Sequence, residues 1–282
     1  MAETRVIASP APHRLGAIAF GVWPVRVATV LAILIVWEAM ARSGLFYKDV
    51  VPIIASIAQA IVLELANLEF YSNLQVTFLE VAVGFLAGSA IGIASGIALG
   101  TRPYLRGASE PYLNALGATP KIIFLPIIFL LFGVGIESKM AKGALSAFFP
   151  TVFSTTLGML LIDRVLIRVG RSFNLTTWQM VGKIYLPAMV GPVVVGLRLS
   201  MGVTIIGVLV AEIKFANAGL GSLMMIYYEQ FKIPSMYAMI LILFALAAFA
   251  NFGMTWLQTR FDYRSDPRSS GGAARAGTMA AR

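Results

Sequence analysis

The sequence predicts an all-α, polytopic membrane protein with about six transmembrane helices. Of its 282 residues, 59% are hydrophobic and only 12% are charged, and the mean hydropathy is +0.83. A soluble domain is about 45–50% apolar and about 25% charged, so this chain has too few charges to cover a water-facing surface of its size. Cysteine is absent, which excludes disulfides, thiol nucleophiles and Cys-ligated zinc. The one histidine, His13, lies in a polar N-terminal stretch and offers little material for a Ser-His catalytic pair.

Six apolar runs are long enough to cross a membrane. A spanning helix needs about 20 mostly apolar residues, because lipid offers its backbone no hydrogen-bond partners. The first run starts late and has no small-residue cleavage site after it, so we expect a retained helix rather than a signal peptide. Lys142 interrupts the start of the fourth run. The predicted spans are about Trp23–Ala41, Leu74–Leu99, Tyr112–Val134, Met140–Ile162, Val190–Ala211 and Ser235–Leu257.

The basic residues predict the orientation of these spans. Thirteen Lys and Arg lie in the two terminal segments and in the second and fourth connections, against six in the remaining connections. The positive-inside rule then places both termini in the cytoplasm. The net charge of +9 is thereby explained as a topology signal, and we expect no nucleic-acid partner. The predicted organisation is a cytoplasmic N-terminal tail at 1–21, a transmembrane domain at 22–262 with a cytoplasmic loop at about 163–187, and a disordered cytoplasmic tail at 263–282.

Between the first two spans, residues 52–71 are too polar to cross the membrane. Apolar residues recur there at helical spacing, which predicts an amphipathic helix on the outer membrane surface. These residues are Ile53, Ile57, Ile61, Leu65 and Leu68.

The second span carries a strict four-residue repeat of glycine. Successive members are offset by only about 40° on a helix, so they form one flat stripe on which another backbone can approach closely. We expect structural packing, with a moving or pore-lining face as the alternative. The stripe consists of Gly84, Gly88, Gly92, Gly96 and Gly100.

The third span contains Pro120 and Pro126 with Lys121 between them. Because proline removes a backbone donor and kinks helices, we expect a bent helix, which either lines a pathway or is fixed by packing. Lys121 is expected near the cytoplasmic end, where its side chain can snorkel to the membrane surface.

Few ionisable residues fall within the predicted spans. Glu80 and Glu212 lie toward the outer ends of the second and fifth spans, and Arg198 lies about eight residues into the fifth. Buried charges are costly, so they are candidates for function. We expect Arg198 to have a structural role, paired with a carboxylate or a carbonyl. No cluster of cations within the membrane indicates an anion site, and no metal site is predicted.

The loop at 163–187 is long for a connection and is patterned. Val165, Val169 and Phe173 share one helical face, and Asn174 is a residue type that tolerates a left-handed turn. Thr176 and Gln179 have the spacing of a capping box, which predicts a second short helix from Trp178 to about Tyr185. Two short helices joined by a turn would form an exposed knob, suited either to docking a cytoplasmic protein or to lying on lipid headgroups.

This loop resembles the "EAA" loop of type I ABC importer permeases, whose pattern is roughly E-A-A-x-x-x-G-x-x-x-x-x-x-F-x-x-I-x-L-P. Further similarities are Phe132-Gly133-Val134-Gly135 after Pro126, Gly196-Leu197-Arg198, and Ala211-Glu212 followed by Gly219-Leu220-Gly221. Together they cover about residues 51–261, and the most similar branch is the nitrate/sulfonate/taurine permeases. The resemblance implies a MetI-like fold.

The loop departs from the family pattern at its named positions. Arg168 replaces the Glu, Val169 and Gly170 replace the two Ala, and Asn174 replaces the Gly. One hypothesis is that this chain pairs with a different permease whose loop is intact. Another is that a partner surface has changed to match Arg168.

The resemblance also implies a mechanism and partners. Two permease subunits, either two copies or two different chains, would form the pathway in the bacterial inner membrane. Cytoplasmic ATPase subunits would bind the loop, and a periplasmic or extracellular binding protein would deliver the solute near residues 215–233. ATP and Mg²⁺ would bind the ATPase, because this chain has no phosphate-cradling G-x-x-x-x-G-K-[ST] motif. The implied coupling residues are Arg164, Arg168, Gly170, Arg171, Asn174, Trp178, Gln179, Lys183, Leu186 and Pro187. Candidate pathway or buried polar residues are Pro126, Arg198 and Glu212.

Three alternatives stay open at this point. A secondary transporter or channel is favoured by the absence of an ATP motif and disfavoured by the scarcity of ionisable residues at the midplane. An intramembrane enzyme is disfavoured, because the sequence has no H-E-x-x-H, G-x-S-x-G or paired-Asp motif. A different substrate branch, such as vitamin precursors, is also compatible with the sequence.

Overall fold

The computed structural model describes residues 22–44, 50–215 and 217–262, and every regular element in them is helical. The expectations for His13 and the two terminal tails lie outside these residues. The chain divides into two units, Met1–Ala55 and Ser56–Arg282. The helices are α1 (Val22–Arg42), α2 (Ile54–Leu65), α3 (Leu68–Thr101), α4 (Pro103–Ala118), α5 (Leu125–Phe132), α6 (Ile136–Leu160), α7 (Arg164–Ser172), α8 (Thr177–Met180), α9 (Leu186–Ala188), α10 (Val190–Phe215), α11 (Leu220–Glu229) and α12 (Ile233–Asp262), with a 3₁₀ turn at Lys121–Phe124 and a π turn at Val181–Tyr185.

The predicted all-α membrane fold is confirmed. Five helices (α1, α3, α6, α10 and α12) are long and apolar enough to cross a membrane. The pair formed by α4 and the segment Lys121–Phe132 makes a sixth span if its two halves are counted together.

The third span is bent, as its prolines predict, but its start differs from the prediction. It begins at Pro103 rather than near Tyr112, and its two halves are bent by 94°. Pro120 stands at the break as the residue before the 3₁₀ turn. Pro126 lies in the first turn of α5, where proline fits without a kink because that amide has no helical partner.

In the first unit, the end of α1 is tied to the segment that follows it. The Trp37 Nε1 donates to the Pro52 carbonyl at 3.0 Å. The Ile54 amide donates to Glu38 Oε2 at 3.1 Å, and Glu38 Oε1 forms an ion pair with Arg42 at 2.6 Å.

In the second unit, α3 and α6 run parallel along the glycine stripe. A Cβ built on Gly84 would lie 2.9 Å from the Met140 carbonyl oxygen, and one on Gly88 would lie 2.2 Å from the Ala144 carbonyl oxygen. At the other end of the stripe, a Cβ on Gly100 would meet the Met159 side chain. Any larger residue would therefore push the two helices apart, which makes α3 and α6 one tightly packed pair.

The helix α10 runs antiparallel to α6 and places hydroxyl groups in the seam between them. The Ser200 Oγ donates to the Ala147 carbonyl at 3.0 Å and lies 2.5 Å from the Thr151 Oγ1. A Cβ on Gly207 would meet the Ser146 Oγ. The helix α12 is antiparallel to α10, because Arg198 contacts Asn251 and Gln258.

These contacts define two ends of the bundle. The α11 end holds the starts of α3, α6 and α12, together with α11. The α7 end holds the C-terminal parts of α3 and α6, together with α7, α8 and α9. The core at the α11 end consists of Phe70, Leu220, Leu223, Tyr227 and Met239. The core at the α7 end consists of Met159, Ile162, Met189 and Val193.

A helix is present where the amphipathic segment is predicted, as α2, but it ends at Leu65 and Leu68 already begins α3. Ile57 is buried, whereas Leu65 and Leu68 are exposed. Glu64 is also buried, and its carboxylate accepts a hydrogen bond of 2.8 Å from the Tyr227 hydroxyl of α11. Burial and this hydrogen bond raise the pKa of Tyr227, so the phenol stays protonated and donates.

Candidate functional site: an exposed knob and three lysines at α6

The loop predicted at 163–187 is a helix–turn–helix, here called the knob (residues 163–188). Asp163 caps α7 by accepting from the Val165 amide at 2.8 Å. The Thr176 Oγ1 accepts from the Gln179 amide at 3.4 Å, and the Gln179 side chain accepts from the Thr176 amide at 2.9 Å. Both bonds of the predicted capping box are therefore present. The second helix is more irregular than predicted, because α8 continues through the π turn into α9.

Gly170 is the point where the two halves of the knob meet. It is buried, and a Cβ there would lie 2.3 Å from Ile184 Cδ1 and 2.5 Å from Met180 Sδ. The knob therefore has a small core of its own, formed by Gly170, Met180 and Ile184. Sequence reasoning chose Gly170 but missed Met180 and Ile184, whose four-residue spacing on one helical face was the available signal.

Asn174 makes the turn between the two helices. Its φ is +51°, in the left-handed region, which Asn tolerates better than other residues with a side chain. The turn closes through a hydrogen bond of 3.2 Å from the Leu175 amide to the Gly170 carbonyl. This geometry explains how Asn stands at the position where the family pattern has Gly.

The remaining surface of the knob has no partner within the described chain. Trp178 is 85% exposed and Phe173 is 76% exposed, whereas aromatic side chains are usually well buried. Val165 and Val169, which share a face with Phe173, are also exposed. The other predicted coupling residues are exposed as well, namely Arg164, Arg168, Arg171, Gln179, Lys183, Leu186 and Pro187.

At the α11 end, side chains from α3 and α10 hold the first turn of α11. The Gly221 amide donates to Glu212 Oε2 at 2.7 Å, and the Leu220 amide donates to Thr77 Oγ1 at 2.8 Å. The Thr77 hydroxyl in turn donates to Glu212 Oε1 at 2.6 Å. The Gly219 amide donates to Asn73 Oδ1 at 2.8 Å. Because helix N-termini carry unsatisfied amides and partial positive charge, a buried carboxylate is well placed there.

Glu212 and Arg198 both have polar partners in the structure. Glu212 is 1% exposed and is held by the first turn of α11. Arg198 is half-buried and donates to two side-chain amide oxygens of α12, those of Asn251 at 3.3 Å and Gln258 at 3.2 Å. Pro126 is exposed and lies beyond the helix break.

Three lysines lie against or within α6, and their positions differ from the sequence-based expectation. Lys139 is predicted in the connection before the fourth span and Lys142 as an interruption at the start of that span, but α6 begins at Ile136 and both side chains are buried. Lys139 donates to the Val134 carbonyl at 2.8 Å. Lys121 was expected to reach the membrane surface, but its Nζ lies 5.0 Å from the centroid of the Phe149 ring, beside the middle of α6.

An open cleft of about 540 Å³ lies at the α11 end. Its polar lining comes from the end of α10, from the segment after it and from α11. The lining includes Glu212, Lys214, Asn217, Ser222 and Glu229.

Comparison with known proteins identifies relatives of this arrangement. A family described as "Binding-protein-dependent transport system inner membrane component" matches residues 88–264. A permease protein of Bacillus subtilis named for aliphatic sulfonates transport (SsuC) is 28% identical over 68% of this chain and 70% of its own length. The formylaminopyrimidine transport permease protein ThiX of Halalkalibacterium halodurans is 28% identical over 76% of this chain and 84% of its own length.

The fold has a counterpart among solved structures. A chain from inward-facing conformations of the MetNI methionine ABC transporter superposes with a TM-score of 0.56. It covers 74% of this chain and 98% of that chain, at 19% identity. The predicted MetI-like fold is thereby confirmed.

Proposed function

Because the chain belongs to the family of inner membrane components of binding-protein-dependent transport systems, we propose that it imports a small solute through an assembly driven by a separate ATPase. In this proposal the chain is a multi-pass subunit of the bacterial inner membrane. It carries out no hydrolysis itself, and ATP and Mg²⁺ bind the partner ATPase. The second permease of the pathway is either another copy of this chain or a different subunit.

The exposed knob is the observation that supports ATPase coupling. It combines an internal core, two capped helices and an outward face with Phe173 and Trp178. Rigid, exposed aromatic residues of this kind dominate the energetics of protein–protein contacts. Arg164, Arg168 and Arg171 are exposed on α7 of the same knob and would complement an acidic partner surface.

The α11 end is the proposed side of solute delivery. The cleft there combines two carboxylates, a lysine and neutral polar groups. A binding protein docked over α11 would release its solute into this cleft. The relatives are named for different solutes, one for aliphatic sulfonates and another for formylaminopyrimidine. We therefore propose the solute only as a small organic compound.

The proposed mechanism is alternating access by rigid-body movement. The seam between α3 and α6 is packed so closely along its glycines that the two helices move as one body. The same body carries the knob beyond α6 at one end and fixes α11 through Asn73 and Thr77 of α3 at the other. Closure of an ATPase dimer would thus move both ends together.

A capture experiment tests the proposal. The full chain is purified from native membranes in mild detergent, and the proteins that accompany it are identified by mass. A matched variant replaces Trp178–Lys183 with a Gly/Ser linker, and a control variant places the same linker at residues 270–275. We expect a P-loop ATPase with the wild type and with the control, and none with the knob variant.

Two outcomes would contradict the proposal. If the ATPase is captured equally with the knob variant, the knob is not the coupling element. If the chain is purified alone and transports solute without ATP, it is a carrier or channel. A second permease in the sample would identify a heterodimer, and its absence together with two copies of this chain would identify a homodimer.

A further inference from the structure

The bundle contains two lysines, one buried and one half-buried, that have no carboxylate within 4.0 Å among the described residues. Lys142 is 3% exposed, and Lys121 lies at the break between α4 and the 3₁₀ turn. The two ammonium groups are close enough to interact electrostatically. Among the described residues the one ion pair within 4.0 Å joins Arg42 to Glu38, so neither lysine has one.

The contacts that the two lysines make with α6 place both ammonium groups along one face of that helix. Lys142 and Phe149 are seven residues apart, so they lie within about 20° of the same helical face. The Lys121 Nζ lies over the Phe149 ring. The Lys142 Nζ reaches toward it, because it donates to the Ser146 Oγ at 3.3 Å, one turn further along the helix. The levels of Ser146 and Phe149 differ by only about 4.5 Å along the axis.

The two lysines differ in how well the protein satisfies them. Lys121 donates to the Gly117 and Thr119 carbonyls, which are exposed by the end of α4, and it gains the attraction of the Phe149 ring. Lys142 has one acceptor in the described chain, the Ser146 hydroxyl. That hydroxyl donates to the Lys142 carbonyl at 3.0 Å. A buried ammonium has three donors, so two of those of Lys142 are left for a group that this chain does not supply.

Nearby carboxylates do not fill this role. Glu80 and Glu212 are buried closer to the α11 end, and both interact electrostatically with Lys139. Lys139 already donates to the Val134 carbonyl. The two carboxylates thus act on Lys139, whereas neither Lys121 nor Lys142 has a carboxylate within 4.0 Å among the described residues.

The location suits a solute pathway. Phe149 is close to the middle of α6, about 20 Å from its start. The pair α4 and Lys121–Phe132 is bent by 94° beside it, and broken helices at this depth form solute sites in many transporters. Charged side chains within the membrane also mark substrate pathways, because burying a charge there costs free energy that a bound solute can offset.

We propose that Lys121, Lys142 and Ser146 form a subsite for a small oxyanion, a sulfonate or carboxylate, midway along the bundle. An anion there would offset the repulsion between the two ammonium groups and accept the unused donors of Lys142. This inference rests on the proposed transport function and adds the charge of the solute to it. It favours an anionic solute of the sulfonate type over a neutral compound.

The test compares two probes of nearly equal shape. The assembly captured through this chain is placed in lipid nanodiscs. Equilibrium binding of radiolabelled methanesulfonate is then measured against either unlabelled methanesulfonate or unlabelled, uncharged methanesulfonamide as the competitor. We expect the sulfonate to compete at least tenfold better than the sulfonamide. Lys142→Met and Lys121→Met should each weaken sulfonate binding at least tenfold, and Lys142→Arg should stay within threefold of the wild type.

The control and the gel-filtration profile separate binding from folding. Lys139→Met removes another buried ammonium from α6 and should leave the preference for the sulfonate within threefold. Each variant is measured only on the monodisperse fraction. Equal competition by both probes, or wild-type binding by Lys142→Met, would overturn the subsite. If the subsite is overturned in this way but the ATPase still accompanies the chain, the proposed function stands without the subsite. If the preference is present but no ATPase accompanies the chain, the subsite belongs to a carrier and the proposed function fails.

Discussion

The two ends of the bundle each carry a short helical element, and they are fixed in different ways. The first turn of α11 is held by Asn73, Thr77 and Glu212, which lie more than a hundred residues away or on another helix. The knob is held by its own neighbours, through the Asp163 cap and the Thr176–Gln179 capping box. The α11 element is therefore anchored by polar side chains of other helices. The knob forms its caps and its turn internally, meets the bundle through apolar contacts of Ile167 and Tyr185, and leaves its outer face available. This difference is what a coupling element needs, since it must keep its shape while its partner changes.

The largest expected effect is the loss of stability when the anchor of α11 is removed. Glu212→Ala leaves the Gly221 amide and the Thr77 hydroxyl without their buried acceptor. Hydrogen bonds to a charged group contribute about 1.5–3 kcal/mol each, so we expect a loss of about 3 kcal/mol in unfolding free energy. Thermal unfolding of the purified chain in detergent measures this loss.

The exposed carboxylate of the same region provides the control for Glu212. Glu229 ends α11 and is exposed, so Glu229→Ala should change the unfolding free energy by about 0.5 kcal/mol or less. Equal effects of the two substitutions would mean that α11 is not anchored through Glu212, and the contrast between the two ends would fail.

The second prediction concerns the internal core of the knob. Gly170→Val places a side chain where Met180 and Ile184 already meet. Overpacking of this kind costs about 1–3 kcal/mol, and we expect about 2 kcal/mol, confined to residues 164–188. Hydrogen exchange of the amides in this segment measures the local loss.

Gly182 is the matched control, because a Cβ there meets nothing within 4 Å. Gly182→Val should leave exchange in α7 unchanged. Faster exchange in α11 after Gly170→Val would show that the two ends are not independent in stability, contrary to the comparison.

The same difference explains which parts of the structure the sequence could predict. Local signals were sufficient for the knob, because the Thr176 capping box and the Asn174 turn are formed between neighbours in the chain. The glycine stripe predicted close packing, but not that α6 would be its partner. Long-range features were missed, such as the burial of Glu64 by Tyr227 and the meeting of Lys121 with Phe149. In these cases a distant residue decides whether a polar group is buried, and helical periodicity carries no information about that residue.

The third prediction sharpens the role of the outer face. Trp178→Ala removes the most exposed aromatic ring of the knob without touching its core. A central aromatic residue in an interface contributes about 2 kcal/mol or more, so we expect about 30-fold weaker ATPase binding. Affinity of the captured ATPase for the chain in nanodiscs measures it. Phe249→Ala is the matched control, since this ring of α12 is 77% exposed but lies away from the knob, and it should leave the affinity unchanged.

The smallest effect tests whether the turn of the knob is set by its own backbone. Asn174 has a φ of +51°, a conformation that glycine adopts without a steric penalty and a β-branched residue adopts only with strain. Asn174→Gly should therefore keep the turn and change its stability by about 0.5 kcal/mol, whereas Asn174→Val should cost about 1–2 kcal/mol. Hydrogen exchange at Leu175, whose amide closes the turn, reads both values. If both variants exchange alike, bonds from elsewhere hold the turn, and the knob is then fixed in the same way as the α11 end. If only the valine variant opens, the departure of Asn174 from the family glycine is a local replacement that leaves the docking face intact.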